Sequence, residues 1–350
     1  GITLFRLNKM DEAEASYRKA IEFKQDFAKA HYNLGLVLSL EDKFEESIKS
    51  YDKALDFKEN YLNALIGRAE ALFRTDQFEL ALKDFDLCKT KETRAQALQC
   101  LFGLGRIDDI YERIQMNSEL DDENIGVAAF SSFIEAKFKK DTAHNFCKNP
   151  MDFIYYSNIS SHIKNSNLLI SEIIDELYEL ENIGVSGIPA IKFKDSITLS
   201  KVNILENPSE KILKLKSIIL KEIDTYHLKF KNKSCSYIQK WPSKKFLNGW
   251  PNILKKDGFH SSHNHESGWM SGVIYLNVVP DLEENEGAIE FDLNGNNFQD
   301  LSLPKLTYQP KLGDIVFFPS SLFHRTIPYK TDMHRITISF DLEPNRVSEN

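Results

Sequence analysis

Residues Gly1 to Phe27 read GITLFRLNKMDEAEASYRKAIEFKQDF, and residues Gly35 to Tyr61 read GLVLSLEDKFEESIKSYDKALDFKENY. The two stretches superpose at a shift of 34 residues, and a third copy starts at Ala69 as AEALFRTDQFELALKDFDLCKTKE. Small or aromatic residues recur in register: Gly1/Gly35/Ala69, Ala13/Ser47/Ala81, Tyr17/Tyr51/Phe85 and Ala20/Ala54/Cys88. A period of this length describes a helix pair that cannot bury its apolar face alone and stacks on its neighbours. Small residues let paired helices approach closely, and the aromatic plugs into the next repeat.

This pattern resembles the tetratricopeptide repeat over roughly residues 1–94. The proline that the family usually carries near the repeat end is missing; Gln25 and Glu59 stand there. A degenerate fourth copy is expected between Ala95 and Ile114, where LGRIDDIYERI echoes a second helix. Gly1 falls mid-repeat, so the first helix is expected to be cut short. The resemblance implies a groove for a protein or peptide partner. A purely structural spacer is the other reading, and no groove chemistry in the sequence decides between them.

At 350 residues the chain is long for one domain, and two or three are expected. Hydrophobic residues at 42% and charged residues at 27% exclude wholesale disorder. A net charge of −8 argues against a general nucleic-acid or anionic-membrane binder, which needs a basic surface. Cys88, Cys100, Cys147 and Cys235 lie far apart with no CxxC pair. A disulfide framework is not expected, and a reducing, cytoplasmic compartment is. No apolar run approaches the ~18 residues of a membrane span. The chain opens Gly-Ile-Thr without an initiator Met, as expected of a fragment or a processed chain.

Beyond Asp121 the repeat fades. Residues 124–141 and 166–182 read as amphipathic helices, with CKNPMDFIYYSNISS between them as a loop. Gly184, Gly187 and Pro189 punctuate the chain, and IPAIKFKD and SITLSKVNIL alternate like strands. A helix is expected next, with Asn207 as N-cap, Pro208 at its first position and one apolar face of Leu215, Ile219, Ile223 and Tyr226. From Tyr237 short strand-like runs dominate: SGVIYLNVV, GAIEFDL, GDIVFFP and RITISFDL. The lysines from Lys229 to Lys245, and the acidic run Asp281, Glu283, Glu284 and Glu286, read as solvated loops or helix ends.

Five histidines fall between 260 and 334. His263 and His265 are two apart, so in an extended strand both imidazoles aim the same way. A third ligand from a neighbouring strand about 60 residues later would complete one face of an octahedron and leave positions open, as non-heme iron chemistry needs. Arg335, Thr337 and Ser339 share one face of the last strand, and Ile336, Ile338 and Phe340 share the other. An inward Arg needs an anionic partner, and a guanidinium fits a carboxylate.

Together these segments, SHNHESGWMSGVIYLNVV, EGAIEFDL and GDIVFFPSSLFHRTIPYKTDMHRITISF, resemble the iron(II)- and 2-oxoglutarate-dependent oxygenases. The likeness is to a family with an HxH motif often found behind tetratricopeptide repeats. It covers Phe259 to Leu342. It implies His263 and His324 as iron ligands, and Arg335 as anchor of the far carboxylate of 2-oxoglutarate. Thr337 would assist, and the Tyr275 hydroxyl would lie near that carboxylate. The implied fold is a double-stranded β-helix, and the implied chemistry is an O2-dependent hydroxylation coupled to conversion of 2-oxoglutarate to succinate and carbon dioxide.

One departure matters. Most such enzymes carry Asp or Glu where His265 stands. His265 is read as the middle ligand, with Glu266 as the alternative; a three-histidine face could also suit zinc, nickel or manganese. His260 and His334 are read as a loop residue and a structural one, Trp269 as core or rim, and Asp314 as a turn residue. The whole chain is therefore expected to be a tetratricopeptide helical solenoid (1–115), a helical connector (116–185) and a double-stranded β-helix (186–345). Its expected role is that of a hydroxylase acting on a protein, peptide or small molecule, with the repeats recruiting a partner. The alternatives are a scaffold that has lost catalysis and a cupin-like metalloenzyme that does not use 2-oxoglutarate. Substrate, metal identity and oligomeric state stay open.

Overall fold

The computed structural model describes residues 1–182, 191–193, 196–198, 202–280 and 284–344. Two compact units divide the chain, Gly1–Asn117 and Ser118–Asn350. The first is a run of helices: α1 (Ile2–Arg6), α2 (Met10–Phe23), α3 (Ala28–Leu40), α4 (Phe44–Phe57), α5 (Leu62–Arg74), α6 (Phe78–Cys88), α7 (Lys91–Gly103) and α8 (Ile107–Met116). Each packs on the next. The turns inside successive pairs place Asn8, Asp42 and Asp76 at φ 57°, 58° and 57°, a left-handed conformation that short Asn and Asp side chains tolerate. Gly105 fills the same role at φ 70° in the degenerate fourth pair. Buried Tyr51 shows what the small residues are for. A Cβ on Gly35 would stand 2.7 Å from its ring, and one on Gly67 2.5 Å, so the ring lies against two helices of successive repeats. Arg68 ties the same neighbours together, with its fork on Asp84 at 2.7 and 2.9 Å and Nη1 on Asp52 at 2.7 Å.

The second unit holds α9 (Ile125–Phe138), β1 (Tyr155–Asn158), α10 (Ser166–Asn182), β2 (Ile191–Phe193), β3 (Ser196–Thr198), α11 (Glu210–Phe230), α12 (Ser236–Gln239), β4 (Phe246–Leu254), β5 (Met270–Asn277), β6 (Ile289–Asp292), β7 (Leu306–Tyr308), β8 (Asp314–Pro319), β9 (Phe323–Thr326) and β10 (Arg335–Glu343). One sheet has the order β1-β8-β5-β10-β4-β3-β2 and the other β7-β6-β9, all neighbours antiparallel.

Period-two alternation buries both faces of the large sheet. Ile274, Ile315, Phe317, Ile336, Ile338 and Phe340 join a core with Leu169, Ile173 and Leu177 of α10 and Ile212, Leu215, Ile219, Ile223 and Tyr226 of α11. Val273, Tyr275, Val316 and Phe318 point the opposite way and meet Ile289 and Phe291 of the small sheet. The architecture is a helical repeat array followed by a double-stranded β-helix flanked by helices.

Several expectations change on this scaffold. The stretch 116–185 does not stand apart as a connector: it supplies β1 to the large sheet and α10 to its core. CKNPMDFIYYSNISS therefore holds a strand flanked by two short 3-10 turns, not only loop. The cap of α11 is Ser209, whose hydroxyl accepts from the Ile212 amide at 3.2 Å; Asn207 and Pro208 precede it. β4 carries Gly249 and Pro251 inside a strand, a composition that argues against one. Gly184, Gly187, Pro189, Asp281 and Glu283 lie outside the described residues, as do parts of the two runs at 188–205, where only Ile191–Phe193 and Ser196–Thr198 are described strands. Among the described residues, no helix is long and apolar enough to cross a membrane.

Candidate metal centre

His263 and His265 lie not in a regular strand but on an extended segment sewn to the protein by its backbone. His263 exchanges amide–carbonyl bonds with His324 at 3.1 and 2.9 Å, and the His265 amide donates to the Ser320 carbonyl at 3.0 Å. His324 sits within β9 and pairs with Phe291. The result brings one ring nitrogen from each of the three histidines within 4.8 Å of the others, the grouping of His, Cys, Asp and Glu able to hold a metal ion among the described residues. Exposed Glu266 is not part of it.

The second nitrogen of each ring decides how the first is presented. Nδ1 of His263 faces the Ser261 carbonyl at 2.8 Å, and Nδ1 of His324 the Leu322 carbonyl at 3.3 Å. Nδ1 of His265 faces the Asp341 carboxylate at 2.7 Å. Carbonyl and carboxylate oxygens only accept, so each Nδ1 carries the proton and each Nε2 keeps its lone pair for the centre. Burial, then the neighbouring imidazoles, holds His263 and His324 below the usual histidine range and so neutral, as ligation requires. At His265 burial pulls the same way, but the charge and hydrogen bond of Asp341 outweigh it and raise the value.

The three histidines open on a cavity of about 300 Å3. Its floor comes from alternate residues of three adjacent strands: Trp250 and Asn252 of β4, Val273 and Tyr275 of β5, and Arg335, Thr337 and Ser339 of β10. Thr337 stands opposite both Asn252 and Tyr275, just past a bulge that inserts Leu276 into β5. The small sheet faces them with Ile289, His324 and Thr326.

Arg335 is 3% exposed. Nη1 donates to Thr326 Oγ1 at 3.2 Å and the guanidinium lies 5.1 Å from the Tyr275 ring centre, but Nε has no hydrogen-bond partner among the described residues. No carboxylate among the described residues pairs with this cation. The buried Tyr275 hydroxyl and Asn252 Oδ1 also lack partners among the described residues. Burial pushes the Tyr275 phenol up to about 12 despite Arg335, so it keeps its proton as a donor. A buried cation and a buried donor without acceptors, beside three imidazoles grouped as metal ligands, fit a small dianion.

Every residue expected at the site lines this cavity: His263, His265, His324, Arg335, Thr337 and Tyr275. His260, read as a loop residue, lines it too, and burial with neighbouring His263 and Arg335 lowers its pKa to about 3. His334 points elsewhere, with Nδ1 2.9 Å from the Tyr178 hydroxyl. Trp269 is core, donating to the Tyr237 carbonyl at 2.9 Å. Asp314 is more than a turn residue: it accepts from Asn158, Tyr308 and the Lys311 amide. Sequence reasoning missed Trp250, Asn252 and Thr326. The signal for the first two was their two-residue spacing, hidden by Pro251 between them.

Residues 248–341 match the family model described as "Putative 2OG-Fe(II) oxygenase", residues 1–40 a TPR repeat model and residues 28–61 a tetratricopeptide repeat model. No curated protein matches the chain. Among solved structures it is similar to a Pseudomonas putida prolyl-4-hydroxylase (13% identity, 55% of this chain and 93% of that one, TM-score 0.38). It is similar also to YrrB, a TPR protein with an unusual peptide-binding site (22%, 39% and 73%, TM-score 0.35), and to MamA from Desulfovibrio magneticus RS-1 (15%, 53% and 92%, TM-score 0.37). The chain thus carries tetratricopeptide repeats at its N-terminal end and, over residues 248–341, a segment that matches the model described as "Putative 2OG-Fe(II) oxygenase".

Proposed function

We propose that the protein is an iron(II)- and 2-oxoglutarate-dependent hydroxylase, with the metal on His263, His265 and His324. Bound iron would supply O2 activation coupled to decarboxylation of 2-oxoglutarate. The chain's own residues do the rest. Nδ1 contacts aim the three imidazoles, and Arg335 anchors the distal carboxylate. Tyr275 and Thr337 donate to that carboxylate, and Trp250 and Ile289 wall the cavity against water. The repeats present a protein or peptide to this unit, which makes a side chain the natural substrate. The observation that carries the reading is the buried, carboxylate-free Arg335 in the same cavity as three metal-facing imidazoles.

Calorimetric titration of iron(II)-loaded protein with 2-oxoglutarate under anaerobic conditions tests it. The expected result is saturable binding that needs the metal. Arg335→Ala should weaken it by about 2–3 kcal/mol, roughly 30- to 150-fold, the worth of a charge-assisted bidentate contact. Metal binding without 2-oxoglutarate binding, or binding indifferent to Arg335, contradicts the proposal.

A further inference from the structure

A histidine at position 265 leaves the centre one negative charge short. Two histidines and a carboxylate reduce the charge of a divalent ion; three neutral imidazoles do not. The missing carboxylate is nonetheless present, one imidazole further out. Asp341 Oδ1 lies 2.7 Å from Nδ1 of His265, and Asp341 is only 5% exposed. No lysine or arginine among the described residues pairs with it.

Its position is built rather than incidental. Ser271, directly opposite Asp341 across β5 and β10, donates to the same oxygen at 2.7 Å, and its hydroxyl is 2.8 Å from the Ser320 hydroxyl. Ser320 is also the residue whose carbonyl holds the His265 amide. Gly268 makes room for the cluster: a Cβ there would stand 2.6 Å from Ser320 Oγ and 3.1 Å from Asp341 Cγ. His265 and Ser271 thus meet on one carboxylate oxygen, with Ser320 hydrogen-bonded behind Ser271.

We infer that Asp341 is the positioning and charge-supplying partner of His265, so that the pair stands in for the single carboxylate ligand of a two-histidine, one-carboxylate centre. This rests on the metal assignment above. Hydrogen-bonded carboxylates of this kind fix a ligand ring and raise its basicity. Asp341 touches neither the metal nor the substrate; it acts through the imidazole.

The test uses zinc(II), a redox-inert probe, bound to the metal-free full chain in competition with a chromophoric chelator. Asp341→Asn keeps the shape and removes the charge, and should weaken zinc about 10- to 100-fold, the usual cost of losing such a partner. In the His265→Asp background the carboxylate binds directly and Asp341 has no imidazole to act through. There Asp341→Asn should cost no affinity or raise it, because it removes a like charge. Equal losses in the two backgrounds would mean a general structural role, or a variant that misfolds, and would overturn the inference. Unchanged affinity for Asp341→Asn in the otherwise native chain would overturn it too. Failure of the native chain itself to bind zinc would instead remove the three-histidine centre on which both readings stand.

Discussion

Arg335 carries its charge into a place where charge is expensive. Its side chain is held from below by the Tyr275 ring and from one side by Thr326, neither of which neutralises it. Tyr275 offers the cleaner test of what completes the site, because its hydroxyl has no hydrogen-bond partner among the described residues. Tyr275→Phe should leave thermal stability within about 0.5 kcal/mol, since no internal bond is lost, yet weaken 2-oxoglutarate by about 1 kcal/mol, near fivefold. A measured loss of stability with no loss of affinity would place the hydroxyl's role in the fold. At this scale the sequence was readable where spacing is local. His263 with His265, and Arg335 with Thr337 and Ser339, each fall on one side of an extended chain. Asp341 was not readable, because its contact with His265 depends on the register of β10 against β5. His260 was not either, since only the fold turns its loop into the cavity.

Among the elements, the helix pairs stand on the contact between a small residue and an aromatic ring. Tyr51→Ala would empty the space between Gly35 and Gly67 and should cost about 3–5 kcal/mol, measured by denaturant unfolding of the repeats. A loss below 1 kcal/mol would show that the ring does not hold neighbouring repeats together. In the small sheet, Glu290 of β6 faces Arg325 of β9, accepting its Nε at 2.7 Å and Lys305 Nζ at 3.2 Å. Burial raises this carboxyl, but the two cations outweigh it and hold it below its ordinary value of 4.5. Its folded value is therefore the lower one. The stability it adds is present above the unfolded value and is lost as pH falls through the folded one. Glu290→Gln should destabilise the protein at pH 7 by no more than about 1 kcal/mol, with the difference vanishing once the pH has fallen below the folded value of this carboxyl. A difference that persists in acid would assign the effect to packing. The repeats and the strands β5, β6, β8 and β10 were legible because their apolar periods are long or flanked by turn residues. β4 hid behind Gly249 and Pro251, and β1 behind its shortness at the edge of the sheet.

At the scale of the whole molecule, each unit has its own physical basis. Residues 1–117 repeat one packing contact along a line, with buried Tyr51 and the Arg68 ion pairs linking successive copies. In the second unit a cavity lies between the two sheets, and every group proposed to hold metal or 2-oxoglutarate belongs to that unit. The proposed function requires that metal and 2-oxoglutarate be bound there together, by the three histidines and Arg335. The most direct measurement is the visible spectrum of metal-free protein given iron(II) and then 2-oxoglutarate without oxygen. A charge-transfer band that appears only with both, and is lost in His324→Ala and weakened in Arg335→Ala, is the predicted result. Iron binding without the band, or a band indifferent to both substitutions, would contradict it.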